Sequence, residues 1–283
     1  MKFSTFDTPE AFAQRVRPYL LRHEAINNLI LGLTATLIDD AHHYRDVFLA
    51  TIEADEQVKL AAMRTGGPFM LLLSHLEEPA ALASLCEGLR GEVLPGVLGP
   101  SAVARAFATL WCEAHASRFE LARAQRIYQL EVVRWPTPAP GKMRGAQPGE
   151  QEMLVEWILG FERDAELGES SRHEAERWVE NYLRRKALFI WESVGEPVSM
   201  AGFNGPTPNG IRVSYVYSPA HHRRRGYASN LVAHLSQHLL DEGRSYCFLY
   251  TDLANPTSNH IYQAIGYEPV VDVDEYRFHP QRG

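Results

Sequence analysis

A proline-rich stretch, "RWPTPAPGKMRGAQPGE", lies near the middle of this 283-residue chain and limits what it can fold into. Pro136, Pro138 and Pro140 lack a backbone donor and hold φ near about −65°, and Gly141 follows them. Such a segment suits an extended connector and not the interior of a helix or a strand. A chain of this length buries one large core or two modest ones. The connector favours two: a first domain over 1–134, a linker over 135–141 and a second domain over 142–283.

Both sides of the seam carry the same predicted order of helix, three strands, helix, strand, helix, strand. Upstream, Thr8, Pro9 and Glu10 open a helix whose apolar residues recur at helical spacing. "DVFLATIEA", "VKLAAMRT" and "PFMLLLS" then read as strands. Downstream, two helical segments precede "ALFIWES", "PVSMAGFNG" and "GIRVSYVYS". Residue identities barely match between the halves, so the repeat is one of architecture. The strand "RIYQLEVV", just before the seam, is placed to brace both halves.

Composition excludes several classes. A net charge of −7 repels a polyphosphate backbone, which argues against nucleic acid as a partner. Cys86, Cys112 and Cys247 are far apart and show no metal-knuckle spacing, so they read as reduced, buried thiols. The N-terminus lacks a basic head followed by an apolar core, and the longest apolar run is too short to span a bilayer. The expectation is a cytoplasmic protein without a membrane partner.

The densest charge lies in "VSYVYSPAHHRRRGYASNLVAHLSQHLLDEG". A β-branched and aromatic strand ends at Pro219, and a helix follows with Leu231, Leu235 and Leu239 on one face and Gly243 as its stop. The first N–H groups of that helix have no intrahelical partner, and an anion placed there also meets the positive end of the helix dipole. Gly226 permits close backbone approach and Ala228 keeps the first turn small. Neither a GxxxxGK[ST] loop nor a GxGxxG turn is present.

Arg223-x-x-Gly226-x-Ala228 after "VYSP" resembles the acyl-CoA-binding signature of the GNAT acyltransferase superfamily. "NPTSNHIYQAIGYEPV" resembles a second signature of that family, with Asn255, Tyr262, Gly266 and Tyr267 in the matching places. Together these cover about 142–283, and the upstream half is similar to a degenerate second copy. The resemblance implies an α/β (α+β) fold with a mixed, mostly antiparallel central sheet flanked by helices, in two GNAT-like halves. It implies acetyl-CoA as cosubstrate, with no metal, and an amine acceptor that is either a small molecule or a protein amine. Backbone N–H groups of Arg224, Arg225, Gly226, Tyr227 and Ala228, with Arg223 and Ser229 beside them, would hold the pyrophosphate. Val216, Tyr217 and Ser218 would pair with the pantetheine amides, and Asn255 would be a further cofactor-binding residue. Tyr262 matches the family's general acid, since a phenol is still protonated at neutral pH.

No general base is legible. The strand before the turn offers Arg212, Ser214 and Tyr215, while Asp252 and Glu192 lie elsewhere. A CoA-binding sensor or pseudoenzyme acting through a partner protein is therefore the alternative, and a homodimer stays open. In the first half, Glu77, Glu78 and Pro79 stand where the second half has arginines and glycine, so that copy is expected to bind no pyrophosphate and to shape the acceptor pocket. His234 and His238 share a helix face with Glu242 but lack an HExxH arrangement. They read as a polar stripe, and His221-His222 and His42-His43 as turn or surface pairs.

Overall fold

The computed structural model describes residues 1–40, 44, 46–66, 70–165 and 170–280; the His42-His43 pair lies outside them. The first half runs β1 (Lys2–Thr5), α1 (Pro9–Leu20), α2 (Asn28–Asp39), β2 (Phe48–Ala54), β3 (Gln57–Arg64), β4 (Leu71–Leu73), α3 (Ala80–Gly88), β5 (Gly96–Pro100), α4 (Ser101–Ala114) and β6 (Ser117–Leu130). The second half runs β7 (Lys142–Gly145), α5 (Gln151–Asp164), α6 (Arg172–Arg184), β8 (Leu188–Ser193), β9 (Glu196–Asn204), β10 (Gly210–Tyr217), α7 (Tyr227–Asp241), β11 (Tyr246–Asp252), α8 (Pro256–Ile265) and β12 (Glu268–Pro280). Each half thus has its own helices on both faces of one mixed, mostly antiparallel sheet.

Local chemistry accounts for the helix ends. Thr8 accepts the Ala11 N–H and Pro9 follows it, as expected for a first turn. Ser171 and Glu174 form a capping box on α6. Leu231, Leu235 and Leu239 are buried along one face of α7. The four-residue strands β1 and β7, at the two outer edges, are additions to the predicted order, because such short segments carry no readable alternation.

The sheet order is β1-β2-β3-β4-β5-β12-β6-β11-β10-β9-β8-β7. Exchanging each strand for its counterpart in the other half and reading backwards returns the same order. Backbone details repeat too. Asp55 and Glu56 turn β2 into β3 with positive φ, and Val194 and Gly195 do the same between β8 and β9. A register shift follows Ile52 in the first copy and Trp191 in the second.

The two halves are interlocked through their last strands. β12, the end of the second half, pairs with β5 of the first over Val273–Arg277. β6, the end of the first half, pairs with β11 of the second from Gln125 to Leu130. β6 and β12 pair antiparallel with each other along nearly their full lengths. The segment 135–141 has no regular secondary structure, yet the sheet does not break there.

A second contact joins the halves. Glu24, buried between α1 and α2, accepts from the Thr207 hydroxyl at 2.5 Å, the Asn209 backbone N–H at 2.8 Å and the Asn209 side-chain amide at 2.7 Å. These donors lie in the loop between β9 and β10. Gly32 of α2 meets Gly205 of the same loop so closely that a Cβ at Gly32 would come within 2.7 Å of the Gly205 Cα.

The first half also buries a polar knot. The Asn27 side chain accepts the His75 backbone N–H at 3.0 Å and donates to His75 Nδ1 at 2.8 Å. Tyr19 stacks on the His75 ring at 4.1 Å and donates to its carbonyl. Nδ1 accepts, so a second ring proton has no place there. Burial, then the nearby His23 and Arg22, push the His75 pKa down to about 4.

Two outcomes follow from this arrangement. Because each half completes the other's sheet, thermal unfolding is expected as one cooperative transition by calorimetry and far-UV circular dichroism; two resolved transitions would contradict the interlocking. His75 is neutral when folded and titrates near its ordinary value when unfolded, so the unfolded state binds the extra proton first. Stability is therefore lost as pH falls from about 6.5 towards about 4, by about 3 kcal/mol from this group. His75→Gln is expected to flatten the fall of Tm over that window, and an unchanged slope would refute the assignment.

Candidate active site

β10 and β11 run parallel and pair only over Gly210–Arg212 with Tyr246–Phe248, although both strands continue further. Beyond that point they part. On its other side β10 bulges against β9 between Ser214 and Tyr217, and Tyr215 takes a positive φ of 54° inside the bulge. A bulge frees ladder groups from pairing and re-aims side chains. Tyr215 packs among Phe161, Trp178 and Tyr182, with ring centroids at 5.4, 4.0 and 5.8 Å. Its backbone conformation is costly for a bulky residue and is held by this aromatic packing.

Val216 packs towards α7 and α8, while Tyr217 faces α5. A Cβ at Gly160 would sit 2.5 Å from the Tyr217 hydroxyl, which explains a glycine inside that helix. Ser199 donates to the Tyr217 carbonyl at 2.9 Å, and the Ser218 hydroxyl donates to Ser199 Oγ at 2.9 Å. The strand end is therefore fixed from β9.

The turn after β10 has a left-handed residue at Arg224, φ 62°, and another at Gly226, φ 77°. The backbone N–H groups from Arg224 to Ser229 have no partner among the described residues. Alternating backbone hand turns successive N–H groups towards one concavity, and the start of α7 adds its dipole. Arg224, Arg225 and Gly226 are exposed, whereas Tyr227 is buried and contributes only its N–H to this row. The Arg223 side chain is engaged elsewhere: it donates to the Ser218 carbonyl at 2.9 Å, pairs with Asp164 and lies over the Tyr217 ring. It braces the turn against the strand end and α5. Asn230 donates to the Thr137 carbonyl at 3.0 Å, so the proline-rich segment passes beside this turn.

Asn255 caps α8 by accepting the Ser258 N–H at 3.0 Å, and Gly266 closes that helix with a φ of 110°. Tyr262, on the buried face of α8, joins the core that packs α7 and α8 on the sheet. Its hydroxyl has no partner among the described residues, and burial pushes its pKa up to about 12. The helix is also held from the first half, because Tyr128 of β6 donates to Asn259 at 3.0 Å and accepts from Gln263 at 3.2 Å.

The remaining ionisable residues sort as follows. Glu192 is paired with Arg144 at 2.6 Å, as its counterpart Glu53 is with Arg15. The Asp252 side chain accepts the Ala254 N–H at 2.7 Å. The three cysteines are buried and unbridged, and burial lifts the Cys247 thiol to about 12, far from a reactive thiolate. His238 lies 3.3 Å from Glu242, and His234 packs against Trp135 and Trp191.

Among the described residues, the first half lacks the bulge and the left-handed turn of the second. β3 and β4 pair over Met63 and Ala62 with Leu72 and Leu73 without a register shift. Leu73 fills the equivalent parting, since a Cβ at Gly99 of β5 would meet the Leu73 Cβ at 3.1 Å. The void left there is about 10 Å³, roughly the space of one water. Pro79 precedes α3, and Glu77 beside it is paired with Arg22 at 2.6 Å.

Residues 152–267 match the model of the acetyltransferase (GNAT) family. None of the curated proteins matches the chain. Among solved structures, a Drosophila protein superposes with a TM-score of 0.70 at 14% identity, covering 99% of each chain. An acetyltransferase of the GNAT family from Colwellia psychrerythraea gives 0.62 at 11% identity, covering 99% of this chain and 100% of its own. A GCN5-related N-acetyltransferase from Sphaerobacter thermophilus gives 0.62 at 14% identity, covering 99% and 96%. Such identities speak for the fold alone, and that fold spans both halves. Residues 152–267 are thus similar to the acetyltransferase (GNAT) family, within a fold that the chain shares along its length with solved GNAT proteins.

Proposed function

We propose that this protein moves an acetyl group from acetyl-CoA to the amine of a small molecule or protein, using the second half alone. One observation carries the reading: the unpartnered N–H row from Arg224 to Ser229, at the helix start beside the parting of β10 and β11, within the family-matched segment. The division into 1–134, a linker at 135–141 and 142–283 belongs to the same reading, with the first half as scaffold.

Acetyl-CoA supplies an activated thioester. The N–H groups of Arg224, Arg225, Gly226, Tyr227 and Ala228, with Ser229, hold its pyrophosphate, and the Arg224 and Arg225 side chains add positive charge. Arg223 acts by positioning the turn. The end of β10 at Val216, Tyr217 and Ser218 offers backbone groups for an added strand on the side where β10 has parted from β11. Asn255 contributes by capping and orienting α8.

Tyr262 gives its phenolic proton to the departing thiolate. Burial pushes its pKa up to about 12, which keeps that proton in place throughout the neutral range until the C–S bond breaks, and the phenolate left behind is reprotonated from solvent. Glu192 and Asp252 are engaged, so the amine enters uncharged and loses its proton to water. The buried cysteines offer no reactive thiolate, which agrees with the direct transfer that the family resemblance implies.

Gly226→Asp is expected to lower acetyl-CoA affinity at least tenfold by calorimetry. It places a carboxylate in the N–H row and forces a side chain into a left-handed backbone, where the space itself is adequate. An unchanged titration would remove the site. Tyr262→Phe is expected to lower kcat about 10²-fold or more across an amine panel read by free thiol, with acetyl-CoA affinity retained. Equal turnover in the two proteins would remove Tyr262 from the chemistry. Tight acetyl-CoA binding without turnover on any amine would favour the sensor.

A further inference from the structure

Glu196 begins β9 just after the exposed Val194-Gly195 turn, and His221 and His222 form the short helical turn that follows β10. Neighbouring strands bring them together: Ser199 and Ser218 tie the start of β9 to the end of β10. One ligand atom from each of Glu196, His221 and His222 lies within 4.8 Å of the other two. His222 Nε2 is 3.5 Å from Glu196 Oε1. That is long for a hydrogen bond and close to the about 3.3 Å that separates two ligands on one tetrahedral zinc ion.

His222 is not the surface residue its sequence context suggests. Its side chain is 8% exposed, and its Nδ1 is buried without a partner. Glu196 and His221 are exposed and can rotate inward to close the remaining distance. The helix pair His234 and His238 has no comparable third ligand among the described residues.

We propose that Glu196, His221 and His222 form a three-ligand site for a divalent transition ion, Zn²⁺ by its donor set, with water in the fourth position. Two imidazoles and a carboxylate suit this ion, and the pattern leaves one coordination position open. Bound there, the ion ties the β8–β9 turn to the turn that leads into the N–H row. This reverses the sequence expectation of no metal and does not depend on the acetyl-transfer reading.

The test uses the full-length, tag-free protein stripped with a chelator, without CoA. Zn²⁺ is titrated against a chromogenic chelator, and Co²⁺ is added separately to read its visible d–d bands. Wild type is expected to take one Zn²⁺ equivalent and to show the cobalt bands. Glu196→Gln and His221→Gln, both at exposed positions, are each expected to weaken Zn²⁺ binding at least tenfold and to abolish the bands. His238→Gln is expected to behave as wild type. No Zn²⁺ bound by wild type, or unchanged affinity in Glu196→Gln and His221→Gln, would overturn the site. Loss of binding only in His238→Gln would move it to the helix.

Discussion

The antiparallel pairing of β6 with β12 is the contact on which the rest of the molecule depends. It runs along nearly the full length of both strands, and each of them completes the opposite half's sheet. Without it, β12 and β6 would become open edges, and each half would present an unpaired row of N–H and C=O groups to solvent. The parting of β10 from β11 relies on the same arrangement. β11 is held by β6 from behind, so it need not follow β10 to satisfy its backbone.

Two copies of one architecture have met different chemistry at equivalent places. Where the second copy has a bulge, a left-handed turn and free N–H groups, the first has an unshifted ladder, a proline and a paired glutamate. Leu73 against Gly99 packs the first parting shut. Filling that parting turns a binding feature into core, and the polar residues nearby are drawn into internal bonds, as Asn27, Tyr19 and His75 show. Glu24 turns the same half outward, placing a carboxylate under the loop that borders β10.

Much of the candidate site was legible because its signals are local. Gly226, Ala228, Asn255, Pro256 and Gly266 occupy positions where backbone hand or capping demands them, and the leucine face of α7 announces its own burial. The exchange of β6 and β12 was not legible, since strand partners far apart in sequence leave no periodic mark; only the position of "RIYQL" beside the seam hinted at a shared role. Tyr215 gave no sign of a positive φ, because its conformation is imposed by the aromatic residues of α5 and α6. Glu24 carried no signal, and His222 read as one of a turn or surface pair, because burial by distant segments cannot be read from neighbours. Arg223 matched a motif position, yet its guanidinium serves Ser218 and Asp164.

Tyr128 brings out what the interlocking means for the history of such a chain. It belongs to the half without a site, yet its hydroxyl holds Asn259 and Gln263 on the helix that carries Tyr262. Once duplicated copies have traded their last strands, neither can be deleted without unmaking the other. A substitution in β6 is therefore felt in the second half as well as the first.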